Sequence, residues 1–261
     1  MDISLRGKYA VVAGSTQGIG LAIARTFAEQ GATVIMIARN EAVLKEQVEL
    51  LETPFEQVHA YYMADFTDPK QVENVIGQVC AKHPIEILIN NTGGPPAGPI
   101  IDATEEAFVD AFNQHLVCNH ILTRAVVPCM KSAGYGRIIN IISTSVKIPL
   151  KNLGVSNTIR GAVASWAKTM SLELGQFNIT VNNILPGYTE TARLDSLISV
   201  NAEKRNIAED VVRAEMLADI PMQRFGKATE TAAVAGFLAS PAASYVNGVS
   251  IPVDGGRTGT I

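Results

Sequence analysis

The sequence is poor in cysteine, which argues against two classes of protein. Its 261 residues include three cysteines, Cys80, Cys118 and Cys129. None forms the Cys-x-x-Cys pair of many zinc and redox sites, and an odd number of widely spaced cysteines is not the pattern of a disulfide framework. We therefore expect no metal site and no disulfide bonds, and the cysteine usage favours a reducing compartment.

Long apolar runs and clusters of one charge are also missing. No run reaches the roughly 18 apolar residues of a membrane span, and Met1–Lys8 lacks the apolar stretch of a secretion signal. The 21 basic and 25 acidic residues give a net charge of −4, without a basic patch for nucleic acid. Because 47% of the residues are hydrophobic, the chain can bury a core. We expect a soluble, cytoplasmic protein without a membrane or nucleic-acid partner.

Strand-like and helix-like segments alternate along the chain. Strands are predicted at residues 9–13, 33–37, 59–64, 85–89, 137–142 and 179–185, and helices at residues 21–30, 41–52, 69–83, 105–130 and 156–177. The strands are apolar throughout, which indicates burial on both faces, and their alternation with helices is typical of βαβ units. The sequence predicts an α/β fold: a single Rossmann-type, doubly wound parallel sheet with helices on both faces.

Residues 192–221 interrupt this alternation. The segment is charged, irregular and helix-prone from Asn201 to Leu217, and it is bounded by Pro186-Gly187 and Pro221. The simplest account is one domain over residues 1–261, in which this insertion forms a mobile lid over a substrate.

A glycine-rich loop follows the first strand and opens the first helix. It consists of Gly14, Ser15, Thr16, Gln17, Gly18, Ile19 and Gly20. In such a loop Gly14 permits the tight turn, Gly18 lets the backbone approach a pyrophosphate, and Gly20 allows close packing of helix on strand. The helix N-terminus faces the anion. The loop therefore predicts a dinucleotide site.

The spacing Gly-x-x-x-Gly-x-Gly resembles that of the short-chain dehydrogenase/reductase (SDR) family. Four further motifs match that family in order: Ala64-Asp65-Phe66, Asn90-Asn91-Thr92-Gly93, Asn182 to Gly187 followed by Thr191, and Val253-Asp254-Gly255-Gly256. The resemblance implies an adenine contact at Asp65 and Phe66. It also implies contacts near the nicotinamide from Asn91, Gly93, Pro186, Gly187, Thr189 and Thr191.

The end of the second strand predicts which dinucleotide binds. A carboxylate at this position would accept a hydrogen bond from the ribose hydroxyl of NAD, whereas a cation would pair with the extra phosphate of NADP. Here the family's Asp position is Ala38, and Arg39 follows it. The sequence therefore favours NADP(H), because a guanidinium pairs well with phosphate.

The catalytic positions depart from the family pattern. Members usually carry Ser, Tyr and Lys together with an Asn on the preceding long helix. This chain keeps Ser143 but has Ser156 at the Tyr position, Arg160 at the Lys position and His115 at the Asn position. Within the family it resembles 3-oxoacyl-carrier-protein reductases, with Ser-x-x-x-Arg replacing Tyr-x-x-x-Lys. An alkyl hydroxyl is a far weaker acid than a phenol, and Arg stays charged.

Three functions remain open for this small-molecule site. In the first, the chain reduces a carbonyl-conjugated olefin, and Ser143 and Arg160 stabilise the enolate that forms. In the second, it reduces an activated ketone with a substitute acid. Candidate proton donors are His115, expected to titrate near neutrality, Tyr188 and Lys147. In the third, the chain is a catalytically silent nucleotide-binding or partner subunit.

The last long helix carries an apolar stripe. Seven apolar residues recur in it at helical spacing: Val155, Ile159, Ala162, Val163, Trp166, Met170 and Leu174. The alanines at 162, 164 and 167 allow close approach. Such a stripe either packs on the chain's own sheet or meets a symmetry mate. The family resemblance implies a homodimer or homotetramer through the two long helices.

Overall fold

The computed structural model describes residues 1–260, and within them seven strands form one parallel sheet. The strands are β1 (Tyr9–Ala13), β2 (Thr33–Ala38), β3 (Ala60–Met63), β4 (Ile87–Asn90), β5 (Gly136–Ile141), β6 (Ile179–Pro186) and β7 (Ser250–Val253). Their spatial order is β3-β2-β1-β4-β5-β6-β7, and every neighbouring pair is parallel. The predicted doubly wound sheet is confirmed, and its chain order reverses between β1 and β4. Ligands bind at such a switch point in open α/β sheets.

Helices cover both faces of this sheet. They are α1 (Gly18–Glu29), α2 (Glu41–Glu49), α3 (Pro69–Lys82), α4 (Glu105–Phe112), α5 (Cys118–Ala133), α6 (Gly154–Leu174), α7 (Ala192–Arg205), α8 (Glu209–Ala218) and α9 (Ala228–Ala239). One core joins the sheet to α1 and α9 through Phe27 and Leu238, and the other joins it to α3 and α5 through Val72 and Leu122. Within residues 1–260 no helix has the length and apolar content needed to cross a membrane.

The predicted helix over residues 105–130 is interrupted. A π-helical turn at Asn113–Val117 separates α4 from α5, and His115 lies in it. Such a turn holds one residue more than an α-helical turn, and it is frequent at functional sites. No Gly or Pro marks this interruption in the sequence, so periodicity alone predicted one continuous helix.

The insertion at residues 192–221 is more regular than the sequence predicted. The helix-prone stretch from Asn201 to Leu217 is helical in the end of α7 and in α8, and α7 begins earlier, at Ala192. The two helices are separated at Asn206, which has a left-handed φ of 49°. Both helices contribute to a small apolar cluster that includes Leu194, Val212 and Phe225. Side-chain burial within the insertion therefore stabilises it.

A chain of amide hydrogen bonds fixes the register of the second half of the sheet. Asn90, Asn140, Asn183 and Ser250 are direct cross-strand partners on β4, β5, β6 and β7. Asn90 Nδ2 donates to Asn140 Oδ1 at 2.8 Å, and Asn140 Nδ2 donates to Asn183 Oδ1 at 2.9 Å. Asn183 Nδ2 then donates to Ser250 Oγ at 3.0 Å. This amide ladder aligns the strands that lead to Asn91 and Ser143.

Part of the apolar stripe on α6 packs within the chain itself. Val155, Ile159, Val163 and Leu174 are buried among residues of the same chain, whereas Ala162, Trp166 and Met170 are partly exposed. The homodimer or homotetramer stays a prediction that depends on the family resemblance.

Candidate active site

The glycine-rich loop is closed by a residue from the neighbouring strand. Gly14 follows β1 with a left-handed φ of 59°, and a Cβ at this position would lie 2.6 Å from the carbonyl oxygen of Asn91. Asn91 Nδ2 donates to the carbonyls of Ala13 and Gly14 at 3.2 and 3.1 Å. Only glycine fits at position 14, because both the backbone angle and the approach of Asn91 exclude a side chain.

Two helices begin where this loop turns. α1 starts at Gly18 and α7 follows Thr191, and neither N-terminus has a side-chain cap. A Cβ on Gly18 would lie 3.1 Å from Thr191 Cγ2, so the two helix starts are in contact. Uncapped N–H groups at two adjoining helix starts favour an anion. Ser15 and Gly20 are buried, Thr16, Gly18 and Ile19 are partly exposed, and Gln17 is exposed.

Arg39 stands at the end of β2, next to this loop. The Gly14 amide donates to the Ile37 carbonyl at 2.8 Å, which ties the loop to β2 just before Ala38 and Arg39. Arg39 is exposed and takes part in no ion pair within residues 1–260. Its guanidinium is therefore available to a ligand phosphate.

Asp65 and Phe66, for which the family resemblance predicts an adenine contact, follow the end of β3. Asp65 Oδ1 accepts a hydrogen bond from the Thr67 amide at 2.9 Å, which shapes the turn after the strand. Phe66 is buried, and its carbonyl accepts from Cys118 Sγ at 3.4 Å. These contacts hold the backbone of Asp65 and Phe66 at the carboxyl edge of the sheet.

The segment after β6 is held by the C-terminal motif. The Gly187 amide donates to the Val253 carbonyl at 3.0 Å, and a Cβ on Gly187 would lie 2.7 Å from Asp254 Cα. Thr189 Oγ1 donates to the Gly187 carbonyl at 3.2 Å, and Thr191 Oγ1 donates to the Thr189 carbonyl at 3.2 Å. The turn from Pro186 therefore leads the chain directly to the start of α7, beside Gly18.

Ser143 follows β5, and the guanidinium of Arg160 is held at the end of the same strand. Ser143 Oγ accepts from the Ser145 amide at 3.1 Å, which leaves the hydroxyl proton free to donate. Arg160 on α6 is 8% exposed, and its Nη1 donates to the Ile141 carbonyl at 2.9 Å. Burial, and then the charge of Arg193, lower the pKa of Arg160 to about 10, so the side chain stays charged at neutral pH. Ser156 lies one turn earlier on α6 and is partly buried.

His115 is buried and neutral. It is 1% exposed, and its Nδ1 shares a hydrogen bond of 2.5 Å with Thr92 Oγ1, while Nε2 has no partner within residues 1–260. Burial, and then the charge of Arg160, lower the pKa of His115 to about 2. The expected titration near neutrality is therefore wrong, because a second proton would place a cation in a dry site beside a guanidinium.

The other two candidate proton donors lie in different surroundings. Tyr188 Oη accepts from Arg257 Nη2 at 3.0 Å, and burial raises the pKa of this phenol despite the nearby guanidinium. Arg257 also lines a cavity together with Thr144, the residue after Ser143. Lys147 is exposed. Tyr188 thus keeps its proton at neutral pH, and its partner Arg257 lines that cavity.

Arg193 joins the site from the insertion and was not predicted. Its Nη2 donates to the Pro95 carbonyl at 2.8 Å. A Cβ added to Gly94 would lie 3.6 Å from Arg193 Nη2 and 3.9 Å from Arg160 Nη2. Two guanidinium groups therefore face the same space beside Gly94, which follows Gly93 in the loop after β4.

Comparison with known proteins agrees with this geometry. The family described as enoyl-(acyl carrier protein) reductase matches residues 13–258. The chain belongs to the short-chain dehydrogenase/reductase family.

Characterised relatives and solved structures match this SDR chain over nearly its whole length. It is 30% identical to the NADPH-dependent reductase BacG of Bacillus subtilis, over 97% of this chain and 98% of that protein. It is 32% identical to the 3-oxoacyl-[acyl-carrier-protein] reductase FabG of Vibrio cholerae, over 97% and 98%. The structure of L-sorbose reductase from Gluconobacter frateurii, complexed with NADPH and L-sorbose, superposes with a TM-score of 0.93 at 30% identity, over 100% of both chains.

Family membership makes the SDR chain an NAD(P)-dependent oxidoreductase. The structure holds Arg160 to the Ile141 carbonyl at the end of β5 and His115 to Thr92 in the loop after β4, and Ser143 follows β5. Sequence reasoning missed Arg193 and Thr92. No local signal predicts that Arg193 approaches Gly94, since an arginine in a charged helix is normally solvated. Thr92 lies inside the Asn90-Asn91-Thr92-Gly93 motif, which could have indicated it.

Proposed function

We propose that this SDR chain is an NADP(H)-dependent reductase that transfers hydride to a carbonyl-conjugated olefin. The observation that carries the proposal is Arg160, a buried and charged guanidinium at the position where the family has a lysine. Ser156 stands where the family has its phenolic acid. A site with a strong fixed cation and no phenol at that position suits a reaction that develops negative charge on oxygen before it needs a proton.

The loop residues fit the cofactor. The helix starts at Gly18 and Thr191 would hold the pyrophosphate, and Arg39 would pair with the ribose phosphate. Asp65 and Phe66 would border the adenine. The names of BacG and of the NADPH complex of L-sorbose reductase support the choice of NADP(H) for this chain. When bound, the reduced cofactor supplies the hydride.

The protein's own groups then stabilise the charge that develops. When the far carbon of a conjugated olefin accepts hydride, negative charge moves to the carbonyl oxygen. The Ser143 hydroxyl donates a hydrogen bond to this oxygen, and the charge of Arg160 lies close by. A preorganised donor or cation in a dry site contributes about 3–4 kcal/mol to the transition state.

The proton reaches the enolate after this charge is stabilised. His115 does not supply it as an imidazolium ion, because the site holds that side chain neutral at any pH well above 2. Solvent, or the phenol of Tyr188, delivers the proton to carbon. His115 is held by the hydrogen bond between its Nδ1 and Thr92 Oγ1, and its Nε2 stays buried without a partner within residues 1–260.

A second candidate function is the reduction of an activated ketone with Tyr188 as the acid. The observation that favours it is the 3.0 Å hydrogen bond from Arg257 Nη2 to Tyr188 Oη. A guanidinium beside a phenol stabilises the phenolate left after proton transfer, as a lysine beside the usual tyrosine does in the family.

A rate assay distinguishes the candidates. NADPH oxidation is measured with one conjugated enone and one activated ketone, for wild type, Tyr188→Phe, Ser156→Ala and the double variant Ser156→Tyr with Arg160→Lys. We expect wild type to oxidise NADPH faster with the enone than with the ketone. Ser156→Ala should lower the rate less than about tenfold, and the double variant should gain ketone reduction. Tyr188→Phe should slow ketone reduction more than enone reduction.

Two results would contradict the first proposal. If wild type reduces simple ketones well and the Ser156→Ala variant does not, Ser156 acts as the acid. Wild type that binds NADPH but oxidises it with neither substrate would favour the catalytically silent subunit.

We also propose that the chain is a single domain with a lid at residues 192–221, and that it forms a homodimer or homotetramer.

A further inference from the structure

The space beside Gly94 is bordered by two arginines from distant parts of the chain; Arg160 is buried, whereas Arg193 and Gly94 are exposed. Arg160 reaches this space from α6 and Arg193 from the first turn of α7. A Cβ built on Gly94 would lie 3.9 Å from Arg160 Nη2 and 3.6 Å from Arg193 Nη2. Each guanidinium donates one hydrogen bond to the protein, to the Ile141 and Pro95 carbonyls respectively. Since a guanidinium has five N–H donors, most of theirs are free.

No protein carboxylate neutralises this pair. Within residues 1–260 neither Arg160 nor Arg193 takes part in an ion pair. The charge of Arg160 helps to lower the pKa of His115, which is neutral and has a buried Nε2 without a partner within residues 1–260. Two cations beside an open space cost folding energy unless an anion joins them, because each loses solvation and repels the other.

We propose that the space beside Gly94 is a carboxylate subsite, and that the substrate is an acid whose carboxylate bridges Arg160 and Arg193. Planar guanidinium groups suit a carboxylate, which has two oxygens and accepts charge-assisted hydrogen bonds from both sides. Arg193 comes from the insertion, so a bound acid also ties α7 to the loop after β4. The inference names the substrate class of the proposed reductase and rests on that function.

Glycine at position 94 is part of the subsite. A Cβ there would make ordinary contacts with both guanidinium groups, and the residue does not have a left-handed φ. Alanine is therefore compatible with the fold, but its methyl group would occupy the position that the carboxylate needs. Gly98 in the same loop offers a matched control, because a Cβ there meets nothing within 4 Å.

The test separates binding from turnover. Titration calorimetry measures levulinate, a keto acid, and its uncharged methyl ester on the protein loaded with oxidised cofactor, so that no hydride transfer occurs. We expect levulinate to bind at least about tenfold more tightly than the ester. Arg193→Gln and Gly94→Ala should remove this preference, Arg193→Lys should keep part of it, and Gly98→Ala and Lys204→Gln should keep all of it.

A parallel assay compares the reduction of acetylacrylate, a conjugated enone with a carboxylate, with that of its methyl ester. In wild type, kcat/KM should be higher for acetylacrylate than for its methyl ester. In Arg193→Gln this difference should disappear. If levulinate binds with the expected pattern but neither enone is reduced, the proposed reaction fails and the subsite stands. If both enones are reduced equally well and Arg193→Gln changes nothing, the subsite is refuted while the reaction stands.

The anion could also be a phosphate of the cofactor, and the same variants distinguish the two sources. If Arg193→Gln weakens NADPH binding about tenfold or more and leaves levulinate binding unchanged, the guanidinium serves the cofactor and the carboxylate subsite is refuted. We expect the opposite result.

Discussion

Arg160 offers a prediction in which stability and activity move in opposite directions. Burial, and then the charge of Arg193, lower its pKa from the ordinary value of an arginine to about 10. Since one pH unit of difference between the unfolded and folded pKa corresponds to about 1.4 kcal/mol, the charge costs the folded state about 3 kcal/mol. The hydrogen bond to the Ile141 carbonyl returns about 1 kcal/mol of this cost.

Replacing Arg160 by methionine should therefore stabilise the free protein by about 2 kcal/mol. Because the folded pKa lies below the unfolded one, the cost is fully present at every pH below about 10, so the gain should not change between weakly acidic and weakly basic buffers. The same change should lower kcat by about 10²–10³-fold, since it removes the cation that stabilises developing charge.

Urea unfolding without ligands measures the first effect, and NADPH oxidation with the enone measures the second. Lys204→Met, an exposed change on α7, serves as the control and should alter the free energy of unfolding by less than about 0.5 kcal/mol. A clear loss of stability in Arg160→Met would refute the reasoning, because it would mean that the folded protein already neutralises this charge.

Three further predictions address the cofactor, the sheet and the histidine. Arg39→Ala should weaken NADPH binding by about 1.5–3 kcal/mol and leave NADH binding nearly unchanged, and calorimetry that finds equal losses would contradict the role of Arg39. Asn140→Leu should lower the free energy of unfolding by about 2–6 kcal/mol, because it leaves Asn90 Nδ2 and Asn183 Oδ1 without these partners. His115 has a folded pKa below its unfolded value of 6.5, so its contribution to stability is lost as the pH falls below 6.5, by up to about 1.4 kcal/mol per pH unit. His115→Asn should remove that part of the acid dependence of urea unfolding, and an unchanged pH dependence would show that His115 is not held neutral.

The sequence by itself determined six of the seven strands and the glycine-rich loop, but not the four-residue strand β7, which contains Pro252. Apolar runs such as Tyr9–Ala13 and Ile179–Leu185 are local patterns that specify buried strands wherever the chain folds them. The glycines at 14 and 18 likewise encode backbone angles that their own positions require. For these features neighbours in sequence carry the information, so the α/β fold could be predicted before the tertiary structure.

Boundaries and interruptions followed less well from the sequence. The π-helical turn around His115 lies in a segment without Gly or Pro, so no local signal marks it. The break between α7 and α8 falls at Asn206, and its left-handed conformation is one that Asn adopts at helix ends more readily than most residues. Helix propensity is a weak guide when tertiary contacts compete with it.

The chemistry of the site was decided by tertiary structure alone. Arg193 and the Pro95 carbonyl that it contacts are 98 residues apart, and Thr92 and His115 are 23 residues apart. The sequence contained His115 and Arg160 at the family's catalytic positions, but not their burial, which makes one neutral and leaves the other an unpaired cation. Desolvation and the distance between charges depend on which segments the fold brings together, and no local pattern records them.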